Sequence, residues 1–283
     1  MMKVNVLFAR FPYGNQENPD CTDWLINTTI KAMKDPRIGE VKHWRINDTP
    51  ITMGRNRCVK EALACNTDVL CMIDSDMGPD LPDILGAKPF WDTSFDFLLD
   101  HHGPCAIAAP YCGPPPFENV FIFQWASAQS DHPNVDLKLS QYTREQAYSM
   151  GGIQSVAALP TGLILIDMRV FARLVHPYFY YEYTDKQETH KASTEDVAFT
   201  RDMTLAGVPI YCNWDSWAGH WKWKKVGKPE YLTMAHIRAT FREAIMADRH
   251  EDEKLIDLKQ RNFDFSKIVN GQGELQPTVT VQS

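Results

Sequence analysis

Val69-Leu70-Cys71-Met72-Ile73-Asp74-Ser75-Asp76 is the stretch that decides the fold. Five apolar residues in succession, closed by a polar turn, predict a short strand buried on both faces. Upstream, Arg55–Ala64 places Val59, Ala62 and Leu63 at i, i+3 and i+4, one apolar face of a helix. Before it come a candidate strand at Val41–Ile46 and a helix over Trp24–Met33 that Pro36 ends. A loop at Pro12, Gly14, Asn15 and Pro19 separates that helix from an apolar first strand, Val4–Ala9. The resulting β-α-β-α-β alternation predicts an α/β fold with a mostly parallel sheet covered by helices.

Downstream the pattern is less regular. Ala106–Ala109 and Phe117–Trp125 read as strands, near a bend at Pro114–Pro116, and the polar segment Gln129–Gly152 reads as an insertion or loop. Val156–Ile166 returns to the core, Met168–Leu174 starts a short helix, and His176–Tyr183 is dense in aromatics. Glu195–Ala206 predicts a helix stopped by Gly207 and Pro209, and Val208–Cys212 the last strand. Beyond Lys228, Ile237, Phe241 and Ile245 predict an amphipathic helix, and the tail from Asn270 has weak periodicity. The expected division is a domain over 1–225 and a helical extension with a fraying tail over 226–283. No internal repeat is evident.

Composition narrows the classes. The 283 residues are 44% hydrophobic and 23% charged, which excludes a disordered chain, a collagen and a coiled coil. With 29 basic and 36 acidic residues the net charge is −7, so nucleic acid is not bound by the surface as a whole. No stretch approaches the ~20 apolar residues of a membrane helix, and the N-terminus lacks a secretory apolar core. Seven scattered cysteines without a CxxC pair read as reduced, mostly buried thiols. A cytoplasmic protein with no membrane partner is expected; oligomeric state is open.

Three places carry candidate chemistry. Asp74-Ser75-Asp76 follows a strand, where ligands gather in open α/β sheets, and two carboxylates suit Mg²⁺ or Mn²⁺. The chain has no GxxxxGK[ST] loop for a nucleotide-hydrolysing reading. An aspartyl phosphatase pattern, DxDx[TV], fails at Gly78. At Ser193-Thr194-Glu195-Asp196, Ser193 with Asp196 matches a capping box, and either acid could instead serve as a general base. The third is His220, a metal ligand or an ordinary packed histidine. Around it Trp214, Trp217, Trp221 and Trp223, half of the eight tryptophans, suggest a stacking surface for a sugar or a base.

The order of these pieces resembles GT-A glycosyltransferases of the family-2 type. GRNRCVKEAL followed by DVLCMIDSDM is similar to that family's Arg-Asn helix start and DxD strand. ALPTGLILIDMRVFARL resembles its core strand, and STEDVAFTRDMTLAGVPIYCNWDSWAGH its acidic motif, helix, last strand and closing His. The likeness runs from Val4 to about His220 and implies a Rossmann-like GT-A sheet.

What the resemblance implies is a metal-dependent glycosyltransferase, a hexosyltransferase using a nucleotide-sugar donor such as UDP-glucose. Asp76 and His220 would hold Mn²⁺ or Mg²⁺, with Asp74 facing the ribose or binding the metal through water. Ala9 and Arg10 would line the base pocket beside Asp74 and Ser75, Arg55 would reach the nucleotide, and Gly162 would let the backbone approach the sugar. Asp196 is expected as the general base of an inverting transfer, with Glu195 positioning the acceptor or taking that role.

Trp217, Trp221 and Trp223 with Lys222 are acceptor candidates. A glycan or small hydroxyl compound is placed ahead of hydroxymethylated pyrimidines in phage or viral DNA, which would put the enzyme in the host cytoplasm. A metal-dependent phosphatase or hydrolase, or a non-catalytic sugar-nucleotide-binding module, are the readings from other classes.

Overall fold

A computed structural model describes residues 3–12, 17–81, 86–113, 119–125, 139–183 and 191–221. In chain order, strand β1 (Val4–Phe11) leads into helix α1 (Pro19–Lys34), β2 (Ile38–Arg45), α2 (Ile51–Ala64) and β3 (Val69–Asp74). Then come β4 (Met77–Gly78), α3 (Phe90–Asp100), β5 (Ala106–Ala108), β6 (Phe123–Trp125), β7 (Leu139–Gln141), α4 (Arg144–Ser149) and β8 (Ile153–Ser155). β9 (Leu163–Asp167) runs into a 3₁₀ turn at Met168–Ala172. The hairpin β10 (Glu182–Tyr183) and β11 (Lys191–Ser193), α5 (Glu195–Leu205), β12 (Ile210–Asn213) and β13 (Gly219–His220) complete the described elements.

The main sheet has seven strands in the order β2-β1-β3-β9-β5-β12-β8. Five point the same way; β9 is antiparallel to both β3 and β5, and β8 is antiparallel to β12. This is the expected mixed, mostly parallel sheet flanked by helices. Alternation along β1 and β3 sends Leu7, Ala9, Leu70 and Met72 to one face and Val6, Phe8, Cys71 and Ile73 to the other. Cys58, Val59 and Ala62 of α2 and Phe199 and Met203 of α5 cover the first face. Trp24 and Leu25 of α1 and Trp91, Phe95 and Leu98 of α3 cover the second. Burial on both faces is why the central strands read as unbroken apolar runs.

Several elements differ from the sequence expectation. α1 begins five residues before Trp24: Asn18 caps it by accepting from the Asp20 N–H at 2.8 Å, and Pro19 occupies the first turn. The Asn-Pro pair is a helix start, because proline's missing N–H costs nothing there. α3 was not foreseen, although Phe90, Trp91, Ser94, Phe95 and Leu98 recur at helical spacing. The segment read as a polar insertion contains β7, paired with β6, and α4, closed by a capping box between Thr143 and Gln146. Of the strand expected over Phe117–Trp125, the described residues form a regular strand at Phe123–Trp125, and Phe117 and Glu118 lie outside them. The Pro114–Pro116 bend, the helix beyond Lys228 and the tail lie outside the described residues. No helix among the described residues is long and apolar enough to cross a membrane.

Five of the seven cysteines are buried. Burial pushes the Cys21 and Cys58 thiols up to about 12, with the Glu17 charge adding at Cys21, so both are poor nucleophiles.

Candidate functional site

β3 ends at Asp74, and three backbone bonds anchor the turn that follows. The Asp74 N–H donates to Gly162 O at 2.8 Å, the Ser75 N–H to Phe11 O at 3.2 Å, and the Asn18 N–H to Ser75 O at 2.9 Å. The turn is therefore tied to β1, to the start of α1 and to the start of β9. After it, β4 pairs antiparallel with β13, setting His220 opposite Met77, and the Trp221 N–H donates to Asp76 O at 2.8 Å. That ribbon brings together two residues separated by 143 positions.

His220 Nε2 lies 3.2 Å from Asp76 Oδ2, and its Nδ1 lies 3.1 Å from Cys112 O. A carbonyl oxygen only accepts, so Nδ1 carries the hydrogen of that bond. In the neutral imidazole Nε2 then presents a lone pair to a carboxylate, a contact that needs a proton or a cation between the two. A backbone carbonyl fixing the far nitrogen is the usual support of a metal-bound histidine. Among the described residues no group of three or more His, Cys, Asp or Glu converges on one point. The donor set is thus one carboxylate and one imidazole, which suits a cation that takes its remaining oxygens from phosphate and water, as Mg²⁺ and Mn²⁺ do.

Beside this pair lies a buried cluster of charges. Arg55, on the second turn of α2, sends Nη2 to both oxygens of Asp74 at 3.1 Å and Nη1 to Glu195 Oε1 at 2.6 Å. Its side chain is 3% exposed and lies between the rings of Phe11 and Phe179, 5.7 and 6.0 Å from their centroids. Asn56 holds Phe179 there: its Nδ2 donates to Phe179 O at 2.7 Å and its Oδ1 accepts from the Tyr178 N–H at 2.8 Å. Burial alone would lower Arg55's affinity for its proton, but Asp74 and Glu195 outweigh it and hold the proton more tightly. Burial pushes Asp74 up, and Asp76 and Asp196 add to this, against the pull of Arg55. Glu195 is pushed up by burial in the same way, with Arg55 opposing.

Asp196 sits half-buried in the first turn of α5. The Val197 N–H reaches its Oδ1 at 2.9 Å and Thr194 Oγ1 also donates to it. The expected capping box does not form. Thr194 is the N-cap, and Ser193 Oγ donates instead to Glu182 Oε2 at 2.8 Å. A glutamate that sequence reading did not connect to this segment takes the serine. Glu195 is held by Arg55, whereas Asp196 keeps access to solvent. Arg55 thus bonds two carboxylates, Asp74 and Glu195, and lies in the field of a third, Asp196.

Tyr111, three residues past the end of β5, was missed by sequence reasoning. Its ring lies 4.9 Å from that of His220, and it is buried within the fields of Asp74, Asp196 and Asp76. Burial first, and those charges second, hold its hydroxyl neutral well beyond the usual tyrosine range. It also explains Gly162: a Cβ there would stand 2.6 Å from Tyr111 Oη and 2.9 Å from Cε1 and Cζ. The space beside Gly162 is filled by a tyrosine. A bulky polar residue just beyond a buried strand on the ligand-binding edge was the available signal.

The remaining expected residues are placed as follows. Ala9 lies inside β1, and its methyl is fully enclosed in the core. Arg10, half-buried, pairs with Glu17 at 2.9 Å, and Ser75 is buried in the turn. The tryptophans do not form one stacking surface. Trp214 is 2% exposed, its ring 5.1 Å from that of Tyr142, and Trp217 packs against the same core, while Trp221 is 49% exposed with Nε1 donating to Asp20 Oδ2. Their spacing does not match one face because the chain turns at Asp215 and Ser216 before β13. Lys222 and Trp223 lie outside the described residues.

No family model and no curated protein matches the sequence. Among solved structures the chain is similar to A197 from STIV, with TM-score 0.48, 14% identity, 81% of this chain and 100% of that one covered. It is also similar to GalNAc-T7 solved with UDP, GalNAc and Mn²⁺ (0.39, 12%, covering 94% of this chain and 53% of that one). A third is UDP-glucose pyrophosphorylase complexed with UDP-glucose (0.41, 8%, 75% and 90%). With identities this low, the chemistry of the chain is left to its own residues.

Proposed function

We propose that the protein is a divalent-metal-dependent glycosyltransferase that moves a sugar from a nucleotide-sugar donor, UDP-linked by family resemblance, to an acceptor hydroxyl. The observation that carries this reading is the approach of His220 Nε2 to Asp76 Oδ2 with Nδ1 committed to Cys112 O. Residues 1–225 would form the catalytic domain and 226–283 an extension. A bound Mn²⁺ or Mg²⁺ would supply Lewis-acid neutralisation of the charge that develops on the departing nucleoside diphosphate. Asp76 and His220 would hold it, and Asp74, paired with Arg55, would face the donor.

Asp196 serves as general base, offering Oδ2 to the acceptor hydroxyl; attack from that side displaces the diphosphate from the opposite face and inverts the anomeric carbon. Glu195 is less suited to that role because Arg55 occupies its Oε1. A glycan or small hydroxyl compound is the preferred acceptor, with a hydroxymethylated pyrimidine the alternative that a DNA arm of the assay would reveal.

The test is release of UDP from UDP-glucose with Mn²⁺, with oligosaccharide or hydroxymethylcytosine DNA as acceptor. Asp196→Asn is expected to lose on the order of a hundredfold or more of transfer while donor binding persists. Near-normal transfer by this variant moves the base elsewhere. Turnover that survives chelation removes the metal, and phosphate release from simple esters favours a phosphatase.

A further inference from the structure

We infer that Arg55 is a positioning residue that sets the metal-side and base-side carboxylates in register, not a nucleotide contact. The inference rests on the glycosyltransferase reading above. Asp76 comes from the turn after β3 and Asp196 from the start of α5, segments far apart in the chain. Each stands one or two residues beyond a carboxylate that Arg55 holds: Asp74 before Asp76, Glu195 before Asp196. One planar guanidinium therefore fixes both segments, Nη2 through two bonds to Asp74 and Nη1 through one to Glu195.

Two observations argue that the head group does not turn toward a ligand. It is buried between Phe11 and Phe179, the latter clamped by Asn56. Both of its terminal nitrogens are committed, Nη1 to Glu195 and Nη2 to Asp74, so the head is oriented by the two carboxylates. Such a fork has no equivalent in a lysine, whose ammonium is a compact charge on a flexible stem.

The experiment compares Arg55→Lys, Glu195→Gln and the double variant for Mn²⁺-dependent UDP affinity, by calorimetry, and for kcat and donor KM in transfer from UDP-glucose. In Arg55→Lys, kcat is expected to fall on the order of a hundredfold, the effect of misplacing a catalytic group by about an ångström. UDP affinity and donor KM stay within about threefold, because three backbone bonds hold the Asp74 turn without the fork, so the loss falls on the Asp196 side and no nucleotide contact is lost. The double variant is expected to be no worse than the poorer single one, because both act through the same bond.

A tenfold or greater loss of UDP affinity at retained kcat, or losses that multiply in the double variant, overturns the inference. Should Arg55→Lys not fold, Glu195→Gln carries the test alone: lowered kcat at unaltered UDP affinity supports the inference, and unaltered kcat overturns it. Absence of Mn²⁺-dependent UDP binding by the unaltered protein defeats the functional reading first, and this inference with it.

Discussion

Replacing Gly162 by alanine tests whether Tyr111 occupies the place assigned to it. The added methyl carbon would meet Tyr111 Oη at 2.6 Å and two ring carbons at 2.9 Å, all inside van der Waals contact. Relief requires the tyrosine to move, and its ring already packs on His220 at 4.9 Å and on Phe121 at 5.6 Å. Overpacking of this kind costs roughly 1–3 kcal/mol, and for a chain of this length that lowers Tm by roughly 2 °C per kcal/mol. Denaturant unfolding of Gly162→Ala, Tyr111→Ala and the double variant measures the coupling. In the Tyr111→Ala background all three short contacts vanish, so the glycine substitution is expected to cost less than about 0.5 kcal/mol. Tyr111→Phe removes only the oxygen and leaves the contacts at 2.9 Å, so its rescue is partial. A Gly162→Ala protein as stable as the parent, or a penalty that persists without the tyrosine, refutes the packing argument.

His220→Asn is expected to weaken Mn²⁺-dependent UDP binding by roughly tenfold or more, with metal-free UDP binding little changed; equal loss in both conditions would make His220 a packing residue. Glu182 accepts from Arg201 at 2.6 and 2.7 Å and from Ser193, and the Arg201 bonds in particular hold its carboxyl below the usual 4.5. A depressed native value stabilises the fold above the ordinary one, and the gain is lost as pH falls through the native value, so Glu182→Gln should cost roughly 1 kcal/mol at pH 7 and little at a pH below that native value. Equal destabilisation at both pH values would reject the ion pair. Phe8, fully buried between β2, α3 and the sheet, should cost about 3–5 kcal/mol as alanine; a cost under about 1 kcal/mol, read from urea midpoints, would show that the site collapses around the lost ring.

The β-α-β-α-β half was legible because each of its strands and helices carries its own period, and Val69–Ile73 could be little else than a buried strand. His220 comes within 3.2 Å of Asp76, and the ordered motifs had put these two residues together. What could not be read was partnership across the chain. The resemblance sends Arg55 to the nucleotide, and nothing in its own helix says that Asp74 and Glu195 arrive from two other segments to bond it. Ser193 satisfies the capping pattern, but Glu182 competes for the same hydroxyl, and local spacing is silent about a rival on another strand. Tyr111 matters through a glycine 51 positions away. Trp214, Trp217 and Trp221 are close in sequence, yet the first two pack on the core and the third, beyond β13, is exposed.

The reversed strand β9 has a consequence for how the chain is made. β3 needs β9 along one edge, and β5 needs it along the other, but β9 is complete only when residue 167 has been added. Until then a nascent first half on the ribosome would hold three paired strands with a bare apolar border on Val69–Ile73. Such a border invites holdase binding and edge-to-edge association. Pulse-labelled hydrogen exchange on stalled chains should find β1, β2 and the β3 amides bonded to β1 protected early, and the β3 amides that face β9 only once Leu163–Asp167 has emerged.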